Sequence, residues 1–173
     1  RAAEDPPWYR VIFPAHRARI LSLPGSRHDE AIAAASEAVA LSRSLWKDAL
    51  CFSTRVLVQC LARAGRFAAM GPPVQEALEA AREADHLREL STIQAHDLVR
   101  LLRIGAPRAS VDSALSALRH TFAEMEAPRA EAETWLEIEP FLPRTATFPD
   151  AVEIADRAHD LFLEMPMPEM AAR

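Results

Sequence analysis

His96, Arg100 and Arg103 are separated by four and three residues, the spacing at which side chains share one face of a helix. Two guanidinium groups and an imidazole on one face could close charge-assisted hydrogen bonds on a carboxylate, arginine being the natural bidentate donor. Arg55 and Arg17 place the same chemistry at earlier points of the chain. They do not extend it into a row: at a spacing of 40 residues Arg55 aligns with Ala95 and Trp135, and Arg100 aligns with Cys60. An acidic counterpart runs through Glu131, Glu133, Glu137 and Glu139, where Glu133 and Glu137 are four apart and could share a cation. Solvated helix surface is the simpler reading of that cluster, because a catalytic carboxylate pair needs convergence and burial to split its two pKa values.

Other chemistry-bearing residues give little. Cys51 and Cys60 are nine apart, which on one helix places them on opposite faces where they cannot bridge. They read as buried free thiols. Six histidines, His16, His28, His86, His96, His120 and His159, lack the spacing of metal ligands on one helix. The chain has no phosphate-cradling glycine loop, no His-Glu-x-x-His, no Gly-x-Ser-x-Gly and no paired-cysteine knuckle. The reading is therefore no catalytic residue, no cofactor and no metal, and not an enzyme. His96, Arg100, Arg103, Arg55 and Arg17 remain as candidate partner-binding residues.

What must position them is an internal repeat. Gly25, Gly65 and Gly105 fall 40 residues apart, and Phe122-Ala-Glu-Met-Glu-Ala-Pro128 recurs as Phe162-Leu-Glu-Met-Pro-Met-Pro168. After each glycine or its equivalent comes a short helix opening at Ala31, Ala77, Ala114 and Ala151. Small or apolar residues follow at the third, fourth and seventh places: Ala34, Ala35, Ala38; Ala80, Ala81, Ala84; Ala117, Leu118, Thr121; Ile154, Ala155, Ala158. Small side chains there let a neighbouring helix approach closely, so Ala80 and Ala84 are expected at a tight helix contact. Before each glycine lies a longer helix, with Ala18, Val58, Leu98 and Ile138 in one column and Leu21, Leu61, Leu101 and Phe141 in another. The long helices are expected over 8–22, 47–64, 88–104 and 128–142, and the short ones over 29–44, 74–87, 110–126 and 149–164. The first two alanine openings are 46 residues apart and the later ones 37, which places an insertion around Phe67-Ala-Ala-Met-Gly-Pro-Pro73.

Small residues seven apart on the second helix of each pair, Ala31/Ala38, Ala77/Ala84 and Ala151/Ala158 with Ala114/Thr121 nearly so, resemble the tetratricopeptide repeat family over almost the whole chain. The first helices lack the family's usual large aromatic and second glycine, and the units exceed its common length of about 34 residues. Units such as Leu118-Arg-His-Thr-Phe-Ala-Glu-Met look like the long repeats of large bacterial transcriptional regulators. The resemblance implies one all-α domain over 1–173: about eight helices in four antiparallel pairs, stacked as a right-handed superhelix. First helices would line a concave groove and second helices the outer face.

Charge divides along the same lines. The long helices carry net +3, +2, +1 and −3 in chain order, and the short ones −2, −3, −2 and −4. A basic groove in the first three units with an acidic back is the expectation. Its partner would be a protein or an acidic peptide, with other domains of the parent chain alongside. The negative total disfavours direct nucleic-acid binding. No run of about 18 apolar residues suggests a membrane span, no secretory signal opens the chain, and a cytoplasmic location is expected. Because Arg1 is not Met and Glu169-Met-Ala-Ala-Arg173 repeats the start of a long helix, a fragment of a larger protein is expected. The function that follows is a protein-interaction and regulatory scaffold within a bacterial transcriptional or signalling regulator. The alternative is a small-ligand sensor using the groove. Pro72-Pro73, Pro128 and the Thr147-Phe-Pro-Asp150 box suit helix starts, whereas Pro14 and Pro140 fall inside expected helices and should kink or break them.

Overall fold

The computed structural model describes residues 7–23, 27–45 and 47–143, together with Asp156 and Asp160. Every regular element among the described residues is helical. Seven α-helices follow in order: α1 Pro7–Leu21, α2 His28–Ser42, α3 Lys47–Arg63, α4 Gly71–Glu83, α5 Leu87–Arg103, α6 Arg108–Met125 and α7 Pro128–Ile138. They match the first seven of the eight expected helices within a few residues. Of the eighth, over 149–164, only Asp156 and Asp160 are described, both helical. Gly25, the Thr147 box and the second copy of the Phe-Pro motif lie outside the described residues. The division into long and short helices does not hold, since α6 with 18 residues is the longest and α7 has 11.

Helix ends follow local chemistry. Gly65 and Gly105 take φ of 69° and 66°, the left-handed conformation that ends a helix at least cost when no Cβ is present. Each closes its helix with the same pair of bonds: Gly65 N–H donates to Ala62 O and Arg66 N–H to Leu61 O, and Gly105 N–H donates to Leu102 O and Ala106 N–H to Leu101 O. Asp85 ends α4 in this way at φ 54° without being glycine. Pro72 and Pro73 sit in the first turn of α4, and Pro128 opens α7. Pro140 ends regular α-helix as expected, because α7 stops at Ile138 and continues as a 3-10 turn, Glu139–Phe141. Pro14 does not break α1, which runs through it. The insertion is a second 3-10 turn, Phe67–Met70, with Met70 completely buried.

Consecutive helices from α1 to α6 pack against each other, and the odd-numbered helices also pack in series, α1 on α3, α3 on α5 and α5 on α7. The column Ala18, Val58, Leu98 and Ile138 runs through that odd series and is at most 1% exposed. Burying a side chain such as Leu98 or Ile138 is worth about 1.5–3 kcal/mol. The alanine face is buried throughout α2 (Ala31, Ala34, Ala35, Ala38) and over most of α4 (Ala77, Ala80, Ala81). Two positions depart from the expectation. Ala84 is only half-buried because it is the C-cap of α4 and not part of its packed face. In α6, Ala114 is half-buried and Ala117 exposed, while Leu118, Thr121 and Phe122 are buried. Phe122 of α6 reaches α7 instead, where it meets Trp135 edge-on at 5.3 Å between ring centres.

Candidate functional site

The residues expected to form one binding face are used up in three different ways. His96 is 1% exposed, and its Nε2 lies 2.8 Å from Glu137 Oε1 on α7. Arg100 turns back along α5, its Nε donating to Asp97 Oδ1 at 2.6 Å. Arg103 ties down the chain beyond α7, donating from Nε to Phe141 O at 2.6 Å and from Nη2 to Leu142 O at 3.3 Å, with its guanidinium over the Phe67 ring. Arg55 on α3 pairs with Glu89 on α5. Arg17 is exposed on α1 between Phe13 and Ile20, which are 67% and 68% exposed. The expectation that these three share one accessible surface free of carboxylate pairing is thus corrected for His96, which is buried against Glu137, and for Arg100, which pairs with Asp97, whereas Arg103 is exposed and bonds carbonyls alone. Partly buried cations take the nearest carboxylate or carbonyl, because leaving them unpaired costs more than the pair gains.

Pairing also offsets cations of α3 and α5. On the side formed by α3, α5 and α7, Arg55 meets Glu89, Arg88 meets Glu133, and Glu133 is shared with Arg129. Glu137 Oε1 accepts from both Gln59 Nε2 at 2.6 Å and His96 Nε2. Burial pushes the Glu137 carboxyl up, but the hydrogen bonds from His96 and Gln59 and the nearby Arg55 charge outweigh it and hold the group below the usual carboxylate range. The acidic cluster of α7 is therefore partly the counter-charge of α3 and α5, not solvated surface alone. Around it lies a polar cavity of about 270 Å³ that includes Arg55, Glu89, Thr92, Glu133 and Glu137. Cys51 and Cys60 are both free and buried, and desolvation pushes the Cys51 thiol up to about 12.

A larger opening lies on the other side of α5. A cleft of about 490 Å³ is walled by α4 and α6 and floored by α5. The floor is Gln94, Asp97 and Leu101, spaced three and four apart on one face. Leu78 and Arg82 face it from α4, Ser110, Ser113, Ala114 and Ala117 from α6. Gln94 is 8% exposed, and its Oε1 is buried without a hydrogen-bond partner. Pro107 precedes α6 without a side-chain cap, and the Ser110 N–H turns back to Pro107 O at 2.9 Å at the cleft's edge. Leu101, Ala114 and Ala117 were expected here as packed repeat positions, whereas Gln94, Asp97 and Arg82 were not singled out by spacing or motif. The available signal was Gln94 itself, a long amide at the repeat position that Thr54 and Thr134 occupy in α3 and α7.

The preceding seam also carries a cavity, of about 470 Å³ and lined by Leu50, Glu76, Ala80 and Glu83 among others, but its repeat positions are more deeply covered. There the corresponding floor residues Thr54, Leu57 and Leu61 are all buried, and the Thr54 hydroxyl donates to Leu50 O at 2.6 Å. Ala77 and Ala80, which correspond to Ala114 and Ala117, are 0% and 4% exposed. Arg43 at the end of α2 reaches across to Glu76 of α4 with two bonds of 2.7 and 2.8 Å, and Lys47 pairs with Glu83. Thus α4 directs Glu76 and Glu83 into paired positions on one edge and Arg82 toward the α6 cleft on the other.

No family model, curated protein or solved structure matches the chain. Among the described residues no group of three His, Cys, Asp or Glu is placed to hold a metal ion, and no helix is long and apolar enough to cross a membrane.

Proposed function

We propose that this chain is a protein-interaction and regulatory scaffold of the tetratricopeptide type, its helix pairs continuing the right-handed superhelix that the sequence resemblance implies. A bacterial transcriptional or signalling regulator in the cytoplasm is the setting proposed for it, without chemistry of its own. The observation that carries the reading is the unequal burial of two equivalent seams: Ala77 and Ala80 are buried at α3 and α4, whereas Ala114 is half-buried and Ala117 exposed beside the cleft at α5 and α6. A repeat array gains a binding surface where neighbouring units leave side chains uncovered. The test is selection of random peptides displayed on phage against the folded chain, repeated with Ala117→Trp to fill the cleft. Enrichment of a shared sequence by the parent chain and its loss with Ala117→Trp support the reading. Absence of enrichment, or enrichment indifferent to Ala117→Trp, overturns it.

A small-ligand sensor is the second reading, favoured by the polar cavity of about 270 Å³ between α3, α5 and α7. Stabilisation of the chain by a small polar metabolite, abolished in Glu137→Gln, would move the function to that side.

A further inference from the structure

We propose that the α4–α5–α6 cleft binds an extended acidic peptide, with Gln94 reading a backbone amide and Arg82, beside the first turn of α6, taking a carboxylate. The inference rests on the interaction-module reading and adds the chemistry of the partner. Its first support is Gln94. A primary amide matches a peptide unit donor to acceptor, and buried polar groups in native proteins are almost always satisfied. Gln94 is more than nine-tenths buried on the face of α5 that floors the cleft, and its Oε1 has no partner. A peptide crossing the floor would supply the missing N–H and accept from the other end of the amide. Because the group is inside the fold already, its desolvation is not repeated on binding.

The second support is charge. Asp97, the one carboxylate on the floor, is compensated by Arg100. Among the described residues Arg82 has no carboxylate partner, and it faces the cleft wall opposite Ser110 and the uncapped start of α6. Backbone N–H groups at a helix start and an arginine both favour an anion. Leu78, Leu101 and the small side chains of Ala114 and Ala117 leave apolar room for the body of the peptide. The acids of α4 do not oppose this, since Glu76 and Glu83 lie on its other edge and are paired with Arg43 and Lys47.

The experiment uses the folded chain and three pools of fluorescein-labelled random heptapeptides with a central aspartate, lysine or alanine, read by anisotropy at two salt concentrations. The aspartate pool should bind several-fold more tightly than the lysine pool and weaken as salt rises. Arg82→Gln should remove most of that preference. Gln94→Leu should weaken all pools about ten-fold while leaving the melting temperature equal or higher, which a purely structural glutamine would not do. Binding that is blocked by Ala117→Trp but shows no aspartate preference, or is unchanged in Gln94→Leu, overturns this inference and leaves the interaction module standing. A lysine preference overturns it equally. No binding by any pool sinks both.

Discussion

The seams at α3–α4 and α5–α6 are built from corresponding positions, yet the small residues of one are buried and those of the other are not. In the first, Ala77 and Ala80 are buried over Thr54, Leu57 and Leu61, and every polar group on the floor is satisfied within its own helix. In the second, Ala114 and Ala117 stand beside a cleft floored by Gln94, Asp97 and Leu101. Two physical differences separate them. The first seam is strapped by ion pairs from the end of α2 and the start of α3 to α4, whereas α6 sends Phe122 to Trp135 of α7. Bulky aromatic contacts hold helices apart where alanine lets them close. A repeat position therefore does not fix burial; what the neighbouring unit offers does.

The comparison can be broken most directly with matched substitutions. Ala77→Leu should overpack the closed seam and cost about 1–3 kcal/mol in denaturant unfolding, while Ala117→Leu should stay within about 0.5 kcal/mol of the parent. Equal costs would mean that the two seams are packed alike. A smaller contrast is expected on the floors. Gln94→Leu removes an unsatisfied buried oxygen and should raise stability by up to about 1 kcal/mol, whereas Thr54→Val removes a bonded hydroxyl and should lower it by a similar amount. A loss at Gln94 would place a structural partner on its amide.

Acid should act most gently. Glu137 and Glu76 both titrate below their usual value of 4.5 in the fold, Glu76 because Arg43 hydrogen-bonds it and Glu137 because its partners outweigh burial. Carboxyls of this kind contribute stability that is fully present above the unfolded pKa and lost as pH falls through the folded one. Melting temperature should thus be flat near neutrality and decline below about pH 4.5. The decline should be shallower in Glu137→Gln, the α7 end of the buried bond network, and nearly unchanged in Glu76→Gln, whose exposed pair with Arg43 is worth at most about 1 kcal/mol. Identical slopes in all three chains would show that the odd-helix side is no better shielded from solvent than the strap between α2 and α4.

Much of this fold was legible before any coordinates. Of the eight helices expected from Gly65 and Gly105, the Ala18/Val58/Leu98/Ile138 column and the prolines, seven stand among the described residues within a few residues of their expected ends, because helix periodicity and end chemistry are local properties. The site was much less legible. His96, Arg100 and Arg103 do share the spacing of one face, but their destinations, Glu137, Asp97 and the Phe141 carbonyl, depend on which helix stands opposite and how deep each side chain lies. Ala117 illustrates the limit from the other side: its sequence position marks it as packed, and α6 leaves it exposed.

The sequence by itself determined the helices, their ends, the order of the repeat and the apolar column through the odd-numbered elements, since each follows from interactions within a few residues or one helix face. Only the tertiary structure decided that arginines of α3 and α5 are spent on the acids of α5 and α7, that the alanines of one seam are buried while those of the next are not, and that Gln94 lies buried beneath the second with an oxygen unpaired. The reason is physical: charge pairing and close packing are settled between surfaces distant in sequence, where a single large side chain such as Phe122 or a single strap such as Arg43 with Glu76 sets how near two helices come.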